Sequence, residues 1–225
     1  MTRRQVITQS MLVLLAFVAL HKPIYAEPAN LSQLLTEVKT YHDTGIYDQD
    51  LNTIIKSADD FIIQRAQANQ QQTQPQKLAI VLDIDETCLS NYNNMAARDF
   101  TASKQEWMKD IQAANAPVIK PMLNLYNNAI ANNIAVFFVT GRHESERSPT
   151  SQNLTLAGYQ GWSAIYLKPD NYKEDSAIPF KSHARESIEK QGYIIIASIG
   201  DQYSDLNGGH AEKTYKLPNP YYYIP

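Results

Sequence analysis

The chain has 225 residues, 44% hydrophobic and 19% charged, with a net charge of −3. That length suits one globular domain with a substantial core, and the acidic balance argues against a nucleic-acid polymer as partner, because phosphate backbones are bound by basic faces. The single cysteine, Cys88, excludes an intramolecular disulfide.

In chain order, Arg3 and Arg4 precede an apolar run from Met11 to Leu20, too short to span a bilayer. Ile24-Tyr25-Ala26 offers a small residue at a cleavage position. The pattern predicts a signal peptide over residues 1–26. The mature chain, 27–225, would then be a single secreted or periplasmic domain with no stable membrane anchor. Thr2-Arg3-Arg4-Gln5 loosely resembles a twin-arginine signal, an alternative to ordinary secretion.

Leu31, Leu34, Leu35 and Val38 recur at helical spacing and predict a helix over residues 30–42. Leu51, Ile54, Ile55, Ala58, Phe61 and Ile62 predict a second, and both are expected on the outside of the domain. The Gln- and Asn-rich stretch from Gln64 to Gln76 reads as a polar helix end and connector. Leu78 to Leu82 is an unbroken apolar run, the pattern of a strand buried on both faces of a parallel sheet. It ends in Asp83-Ile84-Asp85. Taken alone, that is either an acidic turn or a site at a strand's carboxyl end, where α/β sheets bind ligands. Cys88 reads as a small buried spacer rather than a nucleophile.

Residues 90–120 show no strand pattern and are expected to form a small helical cap over the strand ends. Ser103 and Glu106 have capping-box spacing, which starts a short helix burying Trp107 and Ile111. Tyr92, Phe100 and Trp107 are candidates for a pocket wall or for local core. Pro121 opens a helix with Met122, Leu125, Tyr126, Ala129 and Ile130 as its buried stripe. Ile134 to Thr140 is a second strand, ending in Thr140-Gly141-Arg142. A helix over Ser151 to Ala157, capped by Gly158, a strand over Ala164 to Leu167 and a helix over Phe180 to Gln191, capped by Gly192, follow. Tyr193 to Ile199 is a fourth strand, ending in Gly200-Asp201, and Thr214 to Leu217 a candidate edge strand. Tyr221 to Tyr223 read as a packed tail. Strands alternating with helices mean βαβ units and a parallel sheet, an α/β fold. In such a sheet Asp83, Asp85, Thr140 and Asp201 converge at one edge.

Asp83-Ile84-Asp85-Glu86-Thr87, Val139-Thr140-Gly141-Arg142, Lys181 and Gly200-Asp201-Gln202-Tyr203-Ser204-Asp205 resemble, in order, the four motifs of the haloacid dehalogenase-like (HAD) phosphatase superfamily. Within it the chain is similar to secreted acid phosphatases of the plant vegetative-storage-protein type and the bacterial class B/C type. Lys216-Leu217-Pro218-Asn219-Pro220 also matches that group. The resemblance implies a Rossmann-like HAD fold with a small helical cap and N-terminal helices. It implies hydrolysis of small phosphomonoesters with Mg²⁺ through an aspartyl-phosphate. Asp83 would be the nucleophile and Asp85 the acid and base. Asp83, the Asp85 main-chain carbonyl, Asp201 and Asp205 would hold the metal, and Thr140, Gly141 and Lys181 the phosphate. Lys168, directly after the third strand, is the rival to Lys181. Asp83 is expected ionised and Asp85 protonated. Arg142 is open between substrate contact and structural ion pair, and His143 is expected at the surface. A storage or binding protein on the same scaffold and a phosphotransferase are the alternative functions.

Overall fold

The computed structural model describes residues 28–224; the expected signal peptide lies outside them. The described residues fall into two units, divided between Leu34 and Leu35. In the first unit Asn30 Oδ1 accepts from the N–H groups of Ser32 and Gln33 at 3.0 and 3.3 Å, capping helix α1 (Leu31–Asp43).

From Leu35 on, the chain forms an α/β domain. Its strands are β1 (Lys77–Leu82), β2 (Ala135–His143), β3 (Ala164–Lys168), β4 (Tyr193–Gly200) and β5 (Lys213–Lys216). They make one sheet in the order β3-β2-β1-β4-β5, every pairing parallel. β1 is central, and all of Leu78 to Leu82 is buried, as the apolar run predicts. Alternate residues serve two cores. Leu78, Ile80 and Leu82 join the cluster that includes Ile55 and Ile62 of α2 (Ile46–Gln70) and Leu125 and Ala129 of α5 (Lys120–Ala131). Ala79 and Val81 join the cluster with Phe137, Ile195, and Ala184 and Ile188 of α7 (Ile178–Lys190). Helices therefore cover both faces, as a parallel sheet requires.

The helix α2 is longer than its apolar stripe, because Asn69 clasps Gln76 through hydrogen bonds of 2.9 Å to its N–H and carbonyl. It also supplies one wall of the core, more than the outer position expected of it. The cap segment carries α3 (Tyr92–Ala96) and α4 (Lys104–Ala113), the latter started by the Ser103–Glu106 capping box. Ile111 is buried, but Trp107 is only half-buried, since it faces a cavity. Ile130, expected in the stripe of α5, is exposed on its edge. β2 runs past Thr140 to His143, with a register irregularity against β3 between those residues. A 3₁₀ turn over Glu144–Glu146 then leads into α6 (Arg147–Leu156), which starts earlier than its apolar residues suggest because Glu146 accepts the His143 N–H at 2.6 Å. Among the described residues no helix is long and apolar enough to cross a membrane.

Candidate active site

The turn after β1 is built on one carbonyl. Asp83 N–H still donates to Ile199 O at 3.0 Å, extending the ladder to β4. Then Ile84 O accepts from Thr87, Cys88 and Leu89 N–H at 3.3, 2.8 and 2.9 Å. This folds Thr87 back beneath the strand end, where its hydroxyl lies 3.4 Å from Asp83 Oδ2 and 3.3 Å from Asp201 Oδ1. Thr87 and Cys88 are fully buried, and Cys88 is the packing element the sequence suggested.

β4 delivers Asp201 beside Asp83. Gly200 is required there: a Cβ on it would lie 2.2 Å from Asp205 Oδ2. Carboxylate oxygens of Asp83, Asp201 and Asp205 all lie within 4.8 Å of one another, and all three residues are buried. Two side-chain amides fix Asp201 Oδ2: Gln202 Nε2 donates at 2.7 Å and Asn219 Nδ2 at 2.6 Å. Gln202 N–H donates to Asp205 Oδ2 at 2.8 Å. An all-oxygen donor set of this kind fits a hard divalent cation. The Asp85 carboxylate is not part of the cluster.

Lys181, from the first turn of α7, is buried and donates to Asp83 Oδ1 at 2.9 Å and to Asp205 Oδ1. Lys168 lines the same cavity, but its ammonium lies 5.7 Å over the Tyr172 ring. Of the two rival lysines, Lys181 is thus the one bonded to the acidic cluster. Burial, then Lys181, pulls the Lys168 pKa down. Lys181 is pushed up, because the Asp205 and Asp83 charges outweigh its burial.

Arg142, at the end of β2, is buried and forks onto Asp85, Nε donating to Oδ2 at 2.9 Å and Nη2 to Oδ1 at 2.7 Å. Asn91 Nδ2 adds a third bond to Asp85 Oδ1 at 2.8 Å. Of the two roles left open for Arg142, the ion pair is present, and the residue also lines the cavity. The expected split between the two carboxylates is reversed among the protein groups alone. Burial and then the Asp205 charge raise the pKa of Asp83 against the opposing pull of Lys181. Burial of Asp85 works the same way, but the Arg142 charge and hydrogen bonds outweigh it and hold Asp85 low. The sequence showed an arginine near Thr140 and no sign that it reaches back to Asp85.

Thr140 is fully buried, with its hydroxyl accepting Arg142 N–H at 3.1 Å, and Gly141 lines the cavity. His143, expected at the surface, is half-buried and faces the cavity. The cavity measures about 430 Å³ above the strand ends. Asp83, Asp85, Lys181 and Asp201 form its polar floor, and Phe100, Trp107, Tyr222 and Ile224 belong to its apolar wall. Tyr92 packs behind the wall, its ring centroid 6.1 Å from that of Phe100. Tyr221 to Tyr223, expected only to pack, line the cavity as well. Glu86, Asn91, Asn219 and Tyr222 also join the site; Glu86 and Asn219 lie in stretches that resemble the phosphatase group, and nothing in the sequence marks Asn91 or Tyr222.

A parallel α/β sheet with a carboxylate cluster, a buried lysine and an arginine fork beyond its central strand ends defines a HAD-type protein. The chain belongs to the HAD superfamily, subfamily IIIB (acid phosphatase), whose family model matches residues 6–225. It is 37% identical over 157 residues to the stem 28 kDa glycoprotein of Glycine max, covering 66% of this chain and 61% of that protein. It is 34% identical to acid phosphatase 1 of Solanum lycopersicum over 64% of this chain and 58% of the relative. Vegetative storage protein 2 of Arabidopsis thaliana is 33% identical over 64% of this chain and 56% of its own length. The chain thus spans about three-fifths of the length of these relatives. The class C acid phosphatase of Bacillus anthracis has the same fold, with a TM-score of 0.67 over 86% of each chain at 19% identity.

Proposed function

We propose that this protein is a secreted, Mg²⁺-dependent acid phosphatase acting on small phosphomonoesters through an aspartyl-phosphate. The observation that carries the reading is the junction of Asp83, Asp201, Asp205 and Lys181 on the floor of a cavity with an apolar wall. An Asp83 oxygen attacks phosphorus as the bond to the leaving oxygen breaks, and Asp85 gives that oxygen a proton. Water then attacks the phosphorus, the bond to Asp83 breaks, and Asp85 takes the water's proton. Lys181, Arg142 and Gly141 face the phosphoryl oxygens, where positioned charge and donors do most of the protein's work in phosphoryl transfer. Asp83, Asp201 and Asp205 would hold the cation, with the Asp85 carbonyl as a further ligand. Its charge favours an ionised Asp83. Arg142 is in place to share its guanidinium between Asp85 and an incoming phosphoryl group. Secretion is supported by the pattern of residues 1–26 and by a relative named as a glycoprotein.

The decisive assay is phosphate release from p-nitrophenyl phosphate at mildly acidic pH. Activity should vanish with chelator, return with Mg²⁺, and be lost in a folded Asp83→Asn variant. A likeness to vegetative storage proteins favours a storage role as the second reading. A folded wild type that releases no phosphate with Mg²⁺ present would select it.

A further inference from the structure

Glu86 is costly to the fold. Its carboxylate is fully buried, it forms no salt bridge with a cation among the described residues, and its backbone sits at φ 55°, in the left-handed region. Strain and a buried carboxyl group without a cationic partner persist together where the surroundings enforce them, which is most often beside a functional group. What Glu86 does is hold Asn91. Its Oε1 accepts Asn91 N–H at 2.6 Å and its Oε2 accepts Asn91 Nδ2 at 3.3 Å. The same Asn91 amide donates to Asp85 Oδ1 at 2.8 Å. Glu86 is in turn held by Tyr222, whose hydroxyl donates to Oε2 at 2.8 Å from 136 residues away.

The segment that carries Tyr222 reaches the site a second time. Asn219 Nδ2 donates to Asp201 Oδ2 at 2.6 Å. Gln202, which donates to the same oxygen, is clasped by this segment: its Oε1 accepts Ile224 N–H at 3.1 Å and its Nε2 lies 3.4 Å from Tyr222 O. Asn219 also fixes its own loop by accepting Tyr221 N–H at 2.8 Å. Stacking of Tyr221 on Phe100, with centroids 5.5 Å apart and planes 2° from parallel, ties the segment to the cap.

We infer that Tyr222 and Asn219 are positioning residues for the two halves of the active site. Tyr222 sets the orientation of the Asp85 carboxylate through Glu86 and Asn91, and Asn219, by fixing Asp201 Oδ2, sets the direction in which Oδ1, beside the Thr87 hydroxyl, is offered to the cation. Neither side chain reacts. Each removes a rotational freedom from a carboxylate whose direction matters, as outer partners do for ligands in metal sites. The Tyr222 half rests on the phosphatase reading; the Asn219 half needs only that the cluster binds a divalent cation.

Two conservative variants test the two halves. Tyr222→Phe keeps the ring in the cavity wall and removes only the hydroxyl. kcat/KM reports the step that expels the leaving group, which a misaimed acid slows most when that group is poor. It should fall about tenfold for phenyl phosphate and less than about twofold for p-nitrophenyl phosphate, on the scale of outer-partner mutations. Equal losses on both esters, or none on either, overturn the role of Tyr222. Asn219→Ala should weaken Mg²⁺ binding about tenfold, read by titration calorimetry without substrate. Unchanged affinity in a folded variant overturns the role of Asn219. A wild type that hydrolyses neither ester overturns the phosphatase reading and the Tyr222 role with it, while calorimetry still decides Asn219.

Discussion

Arg142 closes a two-pronged ion pair on Asp85, at 2.7 and 2.9 Å, with both side chains largely out of solvent. A planar fork suits two carboxylate oxygens at once, and a lysine cannot reproduce it. Arg142→Lys should therefore behave as a damaging change, with kcat lowered on the order of a hundredfold, as for loss of a positioned donor in phosphoryl transfer. Arg142→Ala leaves Asp85 buried without its partner, and should lower stability by about 3 kcal/mol at pH 7. Because the folded pKa of Asp85 is depressed, the pair stabilises above the ordinary carboxylate pKa and fades as pH falls through the folded value. Urea midpoints of wild type and Arg142→Ala should converge toward low pH. A gap that stays constant down to pH 3 would count against the ion pair as the cause.

Lys181 and Lys168 share a cavity and differ in what they touch. Lys181 bonds Asp83 and Asp205 in the interior, so Lys181→Met leaves two buried carboxylates facing each other without a cation. Turnover should fall at least about a hundredfold, and the protein measured in chelator should lose about 3 kcal/mol. Lys168 lies over Tyr172 and makes no contact with the cluster that would be lost. Lys168→Met should change KM more than kcat, by less than about tenfold. The reverse ranking of kcat losses would reassign the phosphate-binding lysine.

The division between what the sequence reveals and what it hides follows range. The two-faced burial of Leu78 to Leu82 is written in one unbroken apolar run, and the edge to which Asp83 and Asp201 converge follows from parallel topology. Lys181 is readable through its likeness to the third phosphatase motif at a helix start, whereas strand ends alone point to Lys168. Periodicity carries no trace of Asp85 pairing with Arg142, 57 residues on, or of Tyr222 reaching Glu86 across 136. Those contacts depend on the bend of β2 beyond Thr140 and on the path of the chain after β5, which nothing local encodes. The same gap hides what sets the two carboxylates apart: both look alike after a strand, yet without a cation burial and the Asp205 charge raise Asp83, while the distant arginine outweighs the burial of Asp85 and holds it low.

Gly200 gives a test of the cluster that touches no acidic residue. Its missing Cβ is the space that Asp205 occupies, with Oδ2, Cβ and Cγ of Asp205 at 2.2 to 2.3 Å from where that atom would stand. Real side chains do not approach so closely, so Gly200→Ala must displace Asp205, and with it the Lys181 contact. The core of β4 lies below this point and should survive. The expected result is a folded protein with Mg²⁺ affinity reduced about tenfold or more and little phosphatase activity. Wild-type affinity in this variant would show that Asp205 is no part of the cation site.

Glu86 makes stability depend on pH in the direction opposite to Asp85. Burial first, and then the charges of Asp85 and Asp201, push its pKa from 4.5 up to about 8. Between those values the folded protein holds a proton that the unfolded chain has released. Its contribution to stability is therefore complete below about pH 4.5, declines as pH rises, and is gone above about pH 8. One proton corresponds to a slope of about 1.4 kcal/mol per pH unit where the two states differ fully. Glu86→Gln keeps an acceptor for Asn91 N–H and has no proton to lose, so the slope should disappear. Urea unfolding in chelator at pH 5, 6, 7 and 8 isolates this group, because the other acids are common to both proteins. The glutamine variant should gain steadily on the wild type from pH 5 to pH 8. Parallel curves across that range would mean that Glu86 stays ionised in the fold, stabilised by the Asn91 and Tyr222 donors alone.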